Sequence, residues 1–595
     1  MGWRFRSCRS VATLVGSTIT PGRVHRMSRT KNALVWITLG CVVCGGAFAK
    51  QANSAQKTNE LTIPESNDGL PGDGPIRRYP WFQRLWLAKR SAWAQQVKKD
   101  QKTLVFLGDS ITQGWGDNMG NNFPGVKVAN RGISGDTTRG MLIRLKEDVL
   151  SLNPSGVVML MGTNDLEEGA KPPVIAGNLK LIVAALKKHN AKMPIILCNV
   201  FPSSASKKRS PADIKEINKL YFEAVKGDPQ ITVIDTWTLF ANEEGDAKQE
   251  EFPDLLHPNK DGYEKWAAAL TPILATKGFV EKEADEFVLE PGFTSLFNGK
   301  DLTGWRFLQD QTSFDGKTST PDGRYVAMNG RLIVTTPPEG RRIQQLWTTK
   351  EFGDDFVLKL EFRATPNADS GVFVRKPQLQ CRDYTLAGPW KDLEGYRQQD
   401  WNELLINVKG QVAHCTCNGE VLNAEFKLPA SGPIGLEGDR GQIEYRRIRT
   451  GKDDGNLLRT TYSTTSWYLE ASESGKGSME SKGDTIVFKT TATSDEAWHV
   501  QAYQTGLTLK EGTDYKITFK MKSPEKCSVV LNGMIHEPDW HEIGLHEEFM
   551  ASDEFREHEF SFTARDVADG VNRIGFQLGV DKGTVMIKDL KMVER

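Results

Sequence analysis

The sequence lacks a net charge. Its 595 residues contain 76 Lys+Arg against 76 Asp+Glu, which gives a formal net charge of +0. A chain without a net field has no electrostatic bias towards polyanions, so we expect no nucleic-acid partner. The length exceeds what one hydrophobic core supports, and 38% hydrophobic residues are typical of soluble globular proteins. We therefore expect three or four domains.

Cysteine is scarce as well. Of eight cysteines, Cys8, Cys41 and Cys44 precede residue 50, and the remaining five cannot all pair within the chain. This odd number excludes a disulfide scaffold. Histidine and cysteine also do not occur at the spacing of a zinc site, because His536 and His541 stand five positions apart where a zinc-binding helix needs four. We expect no metal and no cofactor.

Long apolar runs are missing, and the run near the amino terminus is short. The segment "KNALVWITLGCVVCGGAFA" has a basic flank, an apolar stretch Ala33–Val43, and small residues at Ala47 and Ala49. A membrane span needs about 20 residues, whereas this pattern is typical of a secretory signal. We predict a signal peptide over residues 1–49 and a secreted or periplasmic mature chain without a membrane span. An uncleaved anchor is the alternative.

Strand and helix patterns alternate from residue 98 to residue 280. The strands are "TLVFLG", "KVAN", "GVVMLMG", "MPIILCNV" and "ITVIDT", and the helices lie around 137–152, 172–189, 211–226 and 260–276. Continuous apolar strands between helices indicate a parallel sheet that is covered on both faces. Residues 50–97 are predicted to be a linker followed by a helix that packs on this domain.

Beyond about residue 290 the chain has strand patterns and almost no helical periodicity. In "FVLKLEFR", Phe356, Leu358, Leu360 and Phe362 alternate with Lys359, Glu361 and Arg363, so the charged residues are expected to point outward. The charged segment "TGKDDGN" at 450–456 divides this part of the chain. We predict two β-sandwiches, over residues 290–450 and 457–595.

Five residues suited to acyl transfer follow strands of the first domain or precede its last helix. Ser110, Gly132 and Asn164 follow the first three strands, and "DLLHPN" places Asp254 and His257 on a loop. The carboxyl ends of parallel strands converge on one crevice. There His257 can act as the base that deprotonates Ser110, and Asp254 can orient the imidazole.

The same crevice would contain donors for an oxyanion. The backbone amides of Ser110 and Gly132 and the side-chain amide of Asn164 are the candidates. Each residue also has an ordinary structural interpretation: Ser110 as the cap of a turn, Asn164 as the start of a helix, His257 as a surface histidine. Their convergence in one domain favours the catalytic interpretation.

The blocks "GDSIT", "NRGISGDTT", "GTND" and "DLLHPN" resemble those of the SGNH (GDSL) hydrolases, in order. The resemblance is closest to the branch of the platelet-activating-factor acetylhydrolase α subunits. It implies a flavodoxin-like α/β/α fold with Ser110 as nucleophile, Gly132 and Asn164 as oxyanion donors, and Asp254 and His257 completing the triad. It also implies short acyl groups, often acetyl, as substrates.

The two sandwiches carry resemblances of their own. The segment "GFTSLFNGKDLTGW" and the residues that follow it, over 290–450, resemble the 3-keto-disaccharide hydrolase domains, whose fold is a concanavalin-like jelly roll. Outward residues there could line a sugar site: Glu361, Arg363, Asp369, Arg375, Trp401 and Asn402. Residues 457–595 resemble a carbohydrate-binding module, which implies Trp467, Trp498 and Trp540 as stacking platforms and Gln501 and Gln577 as hydrogen-bonding groups for a sugar.

These patterns together predict a secreted serine esterase that removes short acyl groups, acetyl above all, from carbohydrates or other small esters. The sandwich domains would hold or process the glycan. One alternative is a bifunctional enzyme whose middle domain hydrolyses 3-keto-disaccharides. Another is a glycan-binding adhesion protein.

Overall fold

The computed structural model describes residues 61–280, 286–309, 312–335, 344–383, 390, 392–536 and 538–595. The predicted signal peptide, residues 1–49, lies outside these ranges. Within them, helices α1 to α8 span Pro80–Gln96, Ser110–Gly114, Thr138–Asp148, Thr163–Glu167, Pro172–His189, Pro211–Val225, Thr236–Phe240 and Lys260–Thr276. None of these helices is both long and apolar enough to cross a membrane.

The first domain is built on a five-stranded parallel sheet in the order β2-β1-β3-β4-β5. Strands β1 to β5 span Leu104–Gly108, Val128–Gly132, Gly156–Met159, Ile195–Cys198 and Ile231–Ile234. Alternate residues of β1 enter different cores: Val105 packs with residues of α3, α5 and α6, and Phe106 packs with residues of α8. The sheet is therefore covered by helices on both faces, as predicted.

Helix α1 packs against the edge of this domain. Its buried residues Phe82, Trp86 and Trp93 form a small core with Ile133, which lies in the loop after β2. Arg90 of α1 donates from Nε to Asp148 at the end of α3, at 3.0 Å. The segment before β1 is thus attached to the loop that follows β2.

The middle domain is an antiparallel β-sandwich, as predicted. One sheet has the order β13-β12-β17-β10-β7, and the other has the order β16-β15-β14-β11-β18-β9-β8 with β6 paired to β18. Strands β6 to β18 span Thr294–Ser295, Trp305–Phe307, Tyr325–Met328, Arg331–Val334, Leu346–Phe352, Phe356–Ala364, Asp369–Val374, Gln378–Arg382, Asn402–Lys409, Val412–Cys417, Glu420–Lys427, Gly432–Arg440 and Ile443–Gly451.

The third domain is a second β-sandwich of two five-stranded sheets, in the orders β19-β22-β27-β24-β25 and β20-β21-β28-β23-β26. Strands β19 to β28 span Tyr468–Ala471, Lys476–Lys482, Thr485–Ala492, Val500–Leu507, Asp514–Lys522, Ser528–Ile535, Glu542–Met550, Arg556–Thr563, Asn572–Gln577 and Gly583–Glu594. All neighbouring strands pair antiparallel.

The outward sugar site expected on the middle domain is buried. Glu361 is fully buried between Arg446 at 2.7 Å and Arg447 at 2.8 Å, and Ser463 of the following segment donates to it at 2.9 Å. Burial raises the pKa of Glu361, but the arginines outweigh it and lower the pKa to about 2. The segment that leads into the third domain covers this sheet face, so its charges form an ion-pair network instead of meeting solvent.

Most of the remaining residues of that expected site are also inaccessible; Asp369 is the exception, since its side chain is half-buried and pairs with Arg382 at 3.5 Å. Arg375 is fully buried and donates to backbone carbonyls, among them Phe352 O at 2.7 Å. Arg363 pairs with Glu444 at 2.7 Å, and its guanidinium lies 4.8 Å from the centre of the Trp401 ring. Buried residues of this set, which also include Asn402, hold the sandwich together and cannot contact a sugar.

Candidate active site

Two strand ends and one loop carry the candidate catalytic residues at the carboxyl edge of the parallel sheet. After β1, Asp109 caps α2 by accepting a hydrogen bond from Ile111 N–H at 3.0 Å, which makes Ser110 the first residue of that helix. After β3, Asn164 lies in the first turn of α4. His257 lies in the loop just before Asn259, the residue that caps α8.

Ser110, His257 and Asp254 form a hydrogen-bonded chain. The Ser110 Oγ lies 2.9 Å from His257 Nε2, and His257 Nδ1 lies 2.8 Å from Asp254 Oδ2. Because an ionised carboxylate can only accept, the imidazole proton belongs on Nδ1 and Nε2 is left to accept from the serine hydroxyl. This is the tautomer that a general base requires. The structure brings the three predicted residues together in that geometry.

A tight turn positions the acid. Asp254 Oδ1 accepts from the backbone N–H of Leu256 at 3.0 Å and of His257 at 2.7 Å, and Leu255 between them has a φ of 60°. Partial burial raises the pKa of Asp254, but these hydrogen bonds outweigh it and lower the pKa below its usual value. The carboxylate is therefore ionised at neutral pH. The side chains of Asp254 and His257 are 48% and 43% exposed, so the site is shallow.

Asn164 is held so that one amide hydrogen stays available. Its Oδ1 accepts from Arg209 Nη2 at 3.0 Å, and its Nδ2 donates to the carbonyl of Asp136 at 3.0 Å. A side-chain amide has two hydrogens, so the second can point at an oxyanion. The Ser110 N–H, in the first turn of α2, likewise has no acceptor within its helix.

The prediction for Gly132 needs correction. Its backbone N–H already donates to the side chain of Asn130 at 2.8 Å, in a buried position. A Cβ at residue 132 would lie 2.3 Å from the backbone nitrogen of Gln113, so the glycine is needed because the strand end packs tightly against α2. Gly132 is a packing residue and is not free to donate to an oxyanion in this structure.

Gly135 provides the free amide that Gly132 does not. Its φ is +86°, and its N–H makes no hydrogen bond within the described part of the chain. On one side of it, Ser134 N–H donates to Gln113 Oε1 of α2 at 2.9 Å; on the other, the Asp136 carbonyl accepts from Asn164. The loop thus holds Gly135 between the helices of Ser110 and Asn164. In the sequence, the second glycine of "GISGD" is the feature that could have identified this oxyanion donor.

Beneath the site lies a buried ionic layer. Arg144 donates from Nε to Asp136 Oδ2 at 2.7 Å and from Nη2 to the carbonyl of Gly108 at 3.2 Å. Burial raises the pKa of Asp136 to about 6, against the attraction of Arg144. Burial also raises the pKa of Asp109 to about 6, and its Oδ2 has no hydrogen-bond partner among the described residues. The layer fixes the ends of β1 and β2 from below.

Asp165 connects this layer to α3. Its carboxylate accepts from the backbone N–H of Thr138 at 2.9 Å and from the Thr138 hydroxyl at 2.6 Å. Burial is complete and raises the pKa of Asp165 to about 7. These bonds hold α4, and with it Asn164, at a set distance from the start of α3.

The three tryptophans predicted to stack on a sugar differ in their exposure in the third domain. Trp467 is 1% exposed, its ring packs on Phe488, and its Nε1 donates to the carbonyl of Thr461 at 2.6 Å. It is a core residue and cannot stack on a sugar, contrary to the prediction. Trp498 and Trp540 are 46% and 48% exposed and remain candidates.

The two predicted glutamines lie opposite each other across strands β22 and β27. Gln501 is buried and donates from Nε2 to Glu470 at 3.0 Å, while its Oε1 accepts from Arg573 at 3.3 Å. Gln577 is half-buried. Their side chains share one face of the sheet with Tyr503, whose ring lies 4.5 Å from the Arg573 guanidinium. A polar and aromatic surface of this kind suits a sugar.

Comparison with known proteins assigns a family to each of the three domains. Residues 106–265 match the GDSL-like Lipase/Acylhydrolase family, residues 292–450 match the 3-keto-alpha-glucoside-1,2-lyase-like domain, and residues 461–582 match a carbohydrate binding domain. The first domain thus matches the GDSL-like acylhydrolase family, and we refer to it as the acylhydrolase domain. This acylhydrolase domain contains Ser110, His257 and Asp254, and the fused architecture is the one that the sequence indicated.

Individual relatives cover one domain each. The acylhydrolase domain is similar to human platelet-activating factor acetylhydrolase IB subunit alpha2, at 25% identity over 224 residues, 36% of this chain and 91% of the relative. It is also similar to a GDSL-like lipase structure from Bacteroides thetaiotaomicron, at 27% identity and a TM-score of 0.29, over 32% of this chain and 97% of that one. The third domain is similar to the N-terminal cellulose-binding domain of Cellulomonas fimi beta-1,4-glucanase C, at 18% identity and a TM-score of 0.20, over 23% of this chain and 93% of that one.

Proposed function

We propose that the acylhydrolase domain removes short acyl groups, acetyl above all, from carbohydrate esters. The observation that carries the proposal is the chain of hydrogen bonds from Ser110 Oγ through the His257 ring to Asp254, at 2.9 and 2.8 Å. A serine hydroxyl becomes nucleophilic when a neighbouring base can take its proton. The two matching sandwich families support a carbohydrate as the alcohol part of the ester.

The geometry supports a two-step mechanism. Ser110 Oγ attacks the acyl carbonyl carbon while its proton passes to His257 Nε2, and Asp254 stabilises the imidazolium. The oxyanion of the tetrahedral intermediate accepts hydrogen bonds from Ser110 N–H, Gly135 N–H and Asn164 Nδ2. The intermediate collapses as His257 returns the proton to the departing sugar oxygen, which leaves an acyl group on Ser110.

The second step reverses the roles. His257 takes a proton from water, the hydroxide attacks the acyl-Ser110 carbonyl, and the carboxylic acid departs as Ser110 regains its proton. Every bond change uses only the ester, water and these side chains. Because His257 and Asp254 are almost half exposed, the site suits a short acyl group that needs no deep apolar tunnel.

The amino-terminal pattern around Ala33–Ala49 supports a secreted or periplasmic location, where acylated glycans from outside the cell are accessible. The carbohydrate binding domain would then hold the glycan near the acylhydrolase and raise the local concentration of its ester groups.

Acetate release tests the proposal. Three substrates are compared: acetylated xylan, an acetylated sialic acid and an aryl acetate. The proteins are wild type, Ser110→Ala and a surface control, Ser151→Ala, whose hydroxyl donates to the carbonyl of Glu147. We expect acetate from wild type and the control and none from Ser110→Ala. Turnover that survives Ser110→Ala would contradict the mechanism.

A second candidate function lies in the middle domain, on the face of β10, β12 and β17 that points away from the core. Trp347 and Phe373 lie 5.1 Å apart over Gly435, where a Cβ would meet the indole at 2.6 Å. Beside them Glu437 accepts from Gln345 at 2.9 Å and from Gln378 at 3.0 Å. Burial raises the pKa of Glu437, against the two amide hydrogen bonds, which lower it.

An aromatic pair beside a protonatable carboxyl suits glycosidic cleavage by general acid catalysis. We expect a 3-keto-disaccharide to be cleaved by Ser110→Ala protein and not by Glu437→Gln, with the exposed Glu425→Gln as control. Cleavage that persists in Glu437→Gln would remove this role for Glu437 and leave the esterase proposal untouched.

A further inference from the structure

Two exposed aromatic side chains stand beside the loop that carries Gly135. Tyr79 and Trp81 are 49% and 46% exposed, and their rings are nearly parallel, with 6.4 Å between centroids and 8° between planes. They precede the matched family region 106–265 and belong to the segment before β1. Adjacent exposed apolar side chains indicate an interaction surface more than singly scattered ones do.

The pair lies directly against the proposed oxyanion loop. A Cβ at Gly135 would lie 2.8 Å from Trp81 Cη2 and 2.7 Å from Arg77 Nη1, so the edge of the indole rests on the glycine itself. Behind this contact, Phe82 and Trp86 are buried with Ile133 of the same loop. The position of Trp81 is therefore tied to the position of the Gly135 amide.

Ion pairs attach the same segment to the helix of Asn164. Arg77 is buried and bonds to Glu167 and, at 2.7 Å from Nε, to Glu168 at the end of α4. Glu167 in turn accepts from Arg209 at 2.9 Å, the residue that fixes the Asn164 side chain. Trp81 thus contacts the loop of Gly135, and Arg77 links the segment that carries the aromatic pair to the helix of Asn164.

We infer that Trp81, with Tyr79 behind it, forms the platform on which the pyranose ring of the acylated substrate stacks. The inference rests on the proposed esterase function and names the part of the site that selects the alcohol. When an ester carbonyl is bound by the donors that include Gly135, its alcohol part leaves the small space around Ser110 and meets the rim, where the exposed indole offers an apolar face. The C–H side of a pyranose matches such a face.

The chemistry around the Tyr79–Trp81 pair indicates which kind of ligand it binds. An aromatic face beside half-exposed polar groups favours a ring with one apolar side and hydroxyls at its edge, and the Tyr79 hydroxyl, 3.4 Å from Glu168, adds a polar group at the border of the pair. A simple alkyl ester would leave the platform unused. Trp81 is therefore a residue that determines specificity and takes no part in the chemical steps.

The test compares two esters on the same variants. One is an acetylated monosaccharide, which can contact the platform, and the other is ethyl acetate, which is too small to contact it. Trp81→Ala should lower kcat/KM for the sugar ester by about two- to tenfold, mainly through KM, because stacked rings contribute about 0.5–1.5 kcal/mol. For ethyl acetate, kcat/KM should fall by a smaller factor than for the sugar ester, and its remaining turnover also shows that the variant is folded. Trp81→Tyr should retain most of the sugar activity.

An exposed aromatic elsewhere is the control. Phe555, 36% exposed in the third domain, is replaced by alanine and should leave both substrates unaffected. If Trp81→Ala changes neither ester, or lowers both equally, the platform is refuted while the esterase proposal stands. If wild-type protein hydrolyses neither ester, the proposed function itself fails, and the two failures are distinguished.

Discussion

Replacing Asp254 in two ways separates its charge from its effect on the His257 tautomer. In Asp254→Asn, the amide oxygen is needed by the backbone N–H groups of Leu256 and His257, which now bond at 3.0 and 2.7 Å. The NH₂ group must then face Nδ1. The reversed amide would leave both backbone donors without this acceptor, at a cost of about 1 kcal/mol each. The orientation that is unproductive for catalysis is therefore populated roughly thirtyfold more than the reversed one.

An NH₂ group facing Nδ1 forces the imidazole proton onto Nε2, where it points at Ser110 and blocks proton transfer. We expect kcat to fall by roughly 3 × 10³-fold, because loss of the carboxylate costs about 10²-fold and only about one molecule in thirty keeps the productive amide orientation. In Asp254→Ala, water can reach Nδ1 because the side chain is 48% exposed, so the ring keeps access to the correct tautomer. The loss should then be only about 10²-fold.

The assay is the initial rate of aryl acetate hydrolysis at pH 7 under saturating substrate. The predicted order is wild type, then alanine, then asparagine. An asparagine variant as active as the alanine variant would refute the reasoning, because it would show that the backbone bonds at Asp254 do not set the amide orientation.

Other predictions address the oxyanion site, the buried acids and the tryptophans. Asn164→Ala should lower kcat by about 10²- to 10³-fold with little change in KM, measured with an aryl acetate; an unchanged kcat would remove it as a donor. Asp165 has a pKa raised to about 7 in the folded state, so its stabilising contribution is complete below about pH 4 and is lost as pH rises towards 7. Relative to Asp165→Asn, wild-type protein should therefore lose up to about 4 kcal/mol between pH 4 and 7, seen as a falling Tm of the first domain; parallel Tm profiles would contradict this. Trp467→Ala should destabilise the third domain by about 3–5 kcal/mol in thermal unfolding, whereas Trp498→Ala should keep its Tm and weaken binding to an insoluble glycan; the reverse pattern would contradict the burial of the two rings.

The parts of the fold that depend on local pattern could be predicted. Apolar strands alternating with amphipathic helices indicated the parallel sheet, and helices predicted at 172–189 and 260–276 coincide with α5 and α8. Ser110, Asn164 and His257 could be placed at one edge because the topology of a parallel sheet brings strand ends together.

The errors arose where distant contacts decide the outcome. The choice between Gly132 and Gly135 depends on where the Asn130 side chain hydrogen-bonds, which strand pattern does not reveal. The alternating pattern correctly placed Glu361 on the face of the sheet that points away from the core. A later segment of the chain covers that face, however. Trp467 is buried for a related reason: an aromatic residue next to a strand suits a core as well as a binding surface.

The central claim is that the imidazole of His257 activates the hydroxyl of Ser110, and labelling by a serine-directed phosphonate tests it most directly. After incubation and proteolysis, peptide masses show which serine carries the adduct. We expect one adduct, on Ser110, in wild-type protein, and labelling slowed by at least about 10²-fold in His257→Ala. No adduct on Ser110, or equal labelling rates in the two proteins, would contradict the account and favour a protein that binds glycans without hydrolysing their esters.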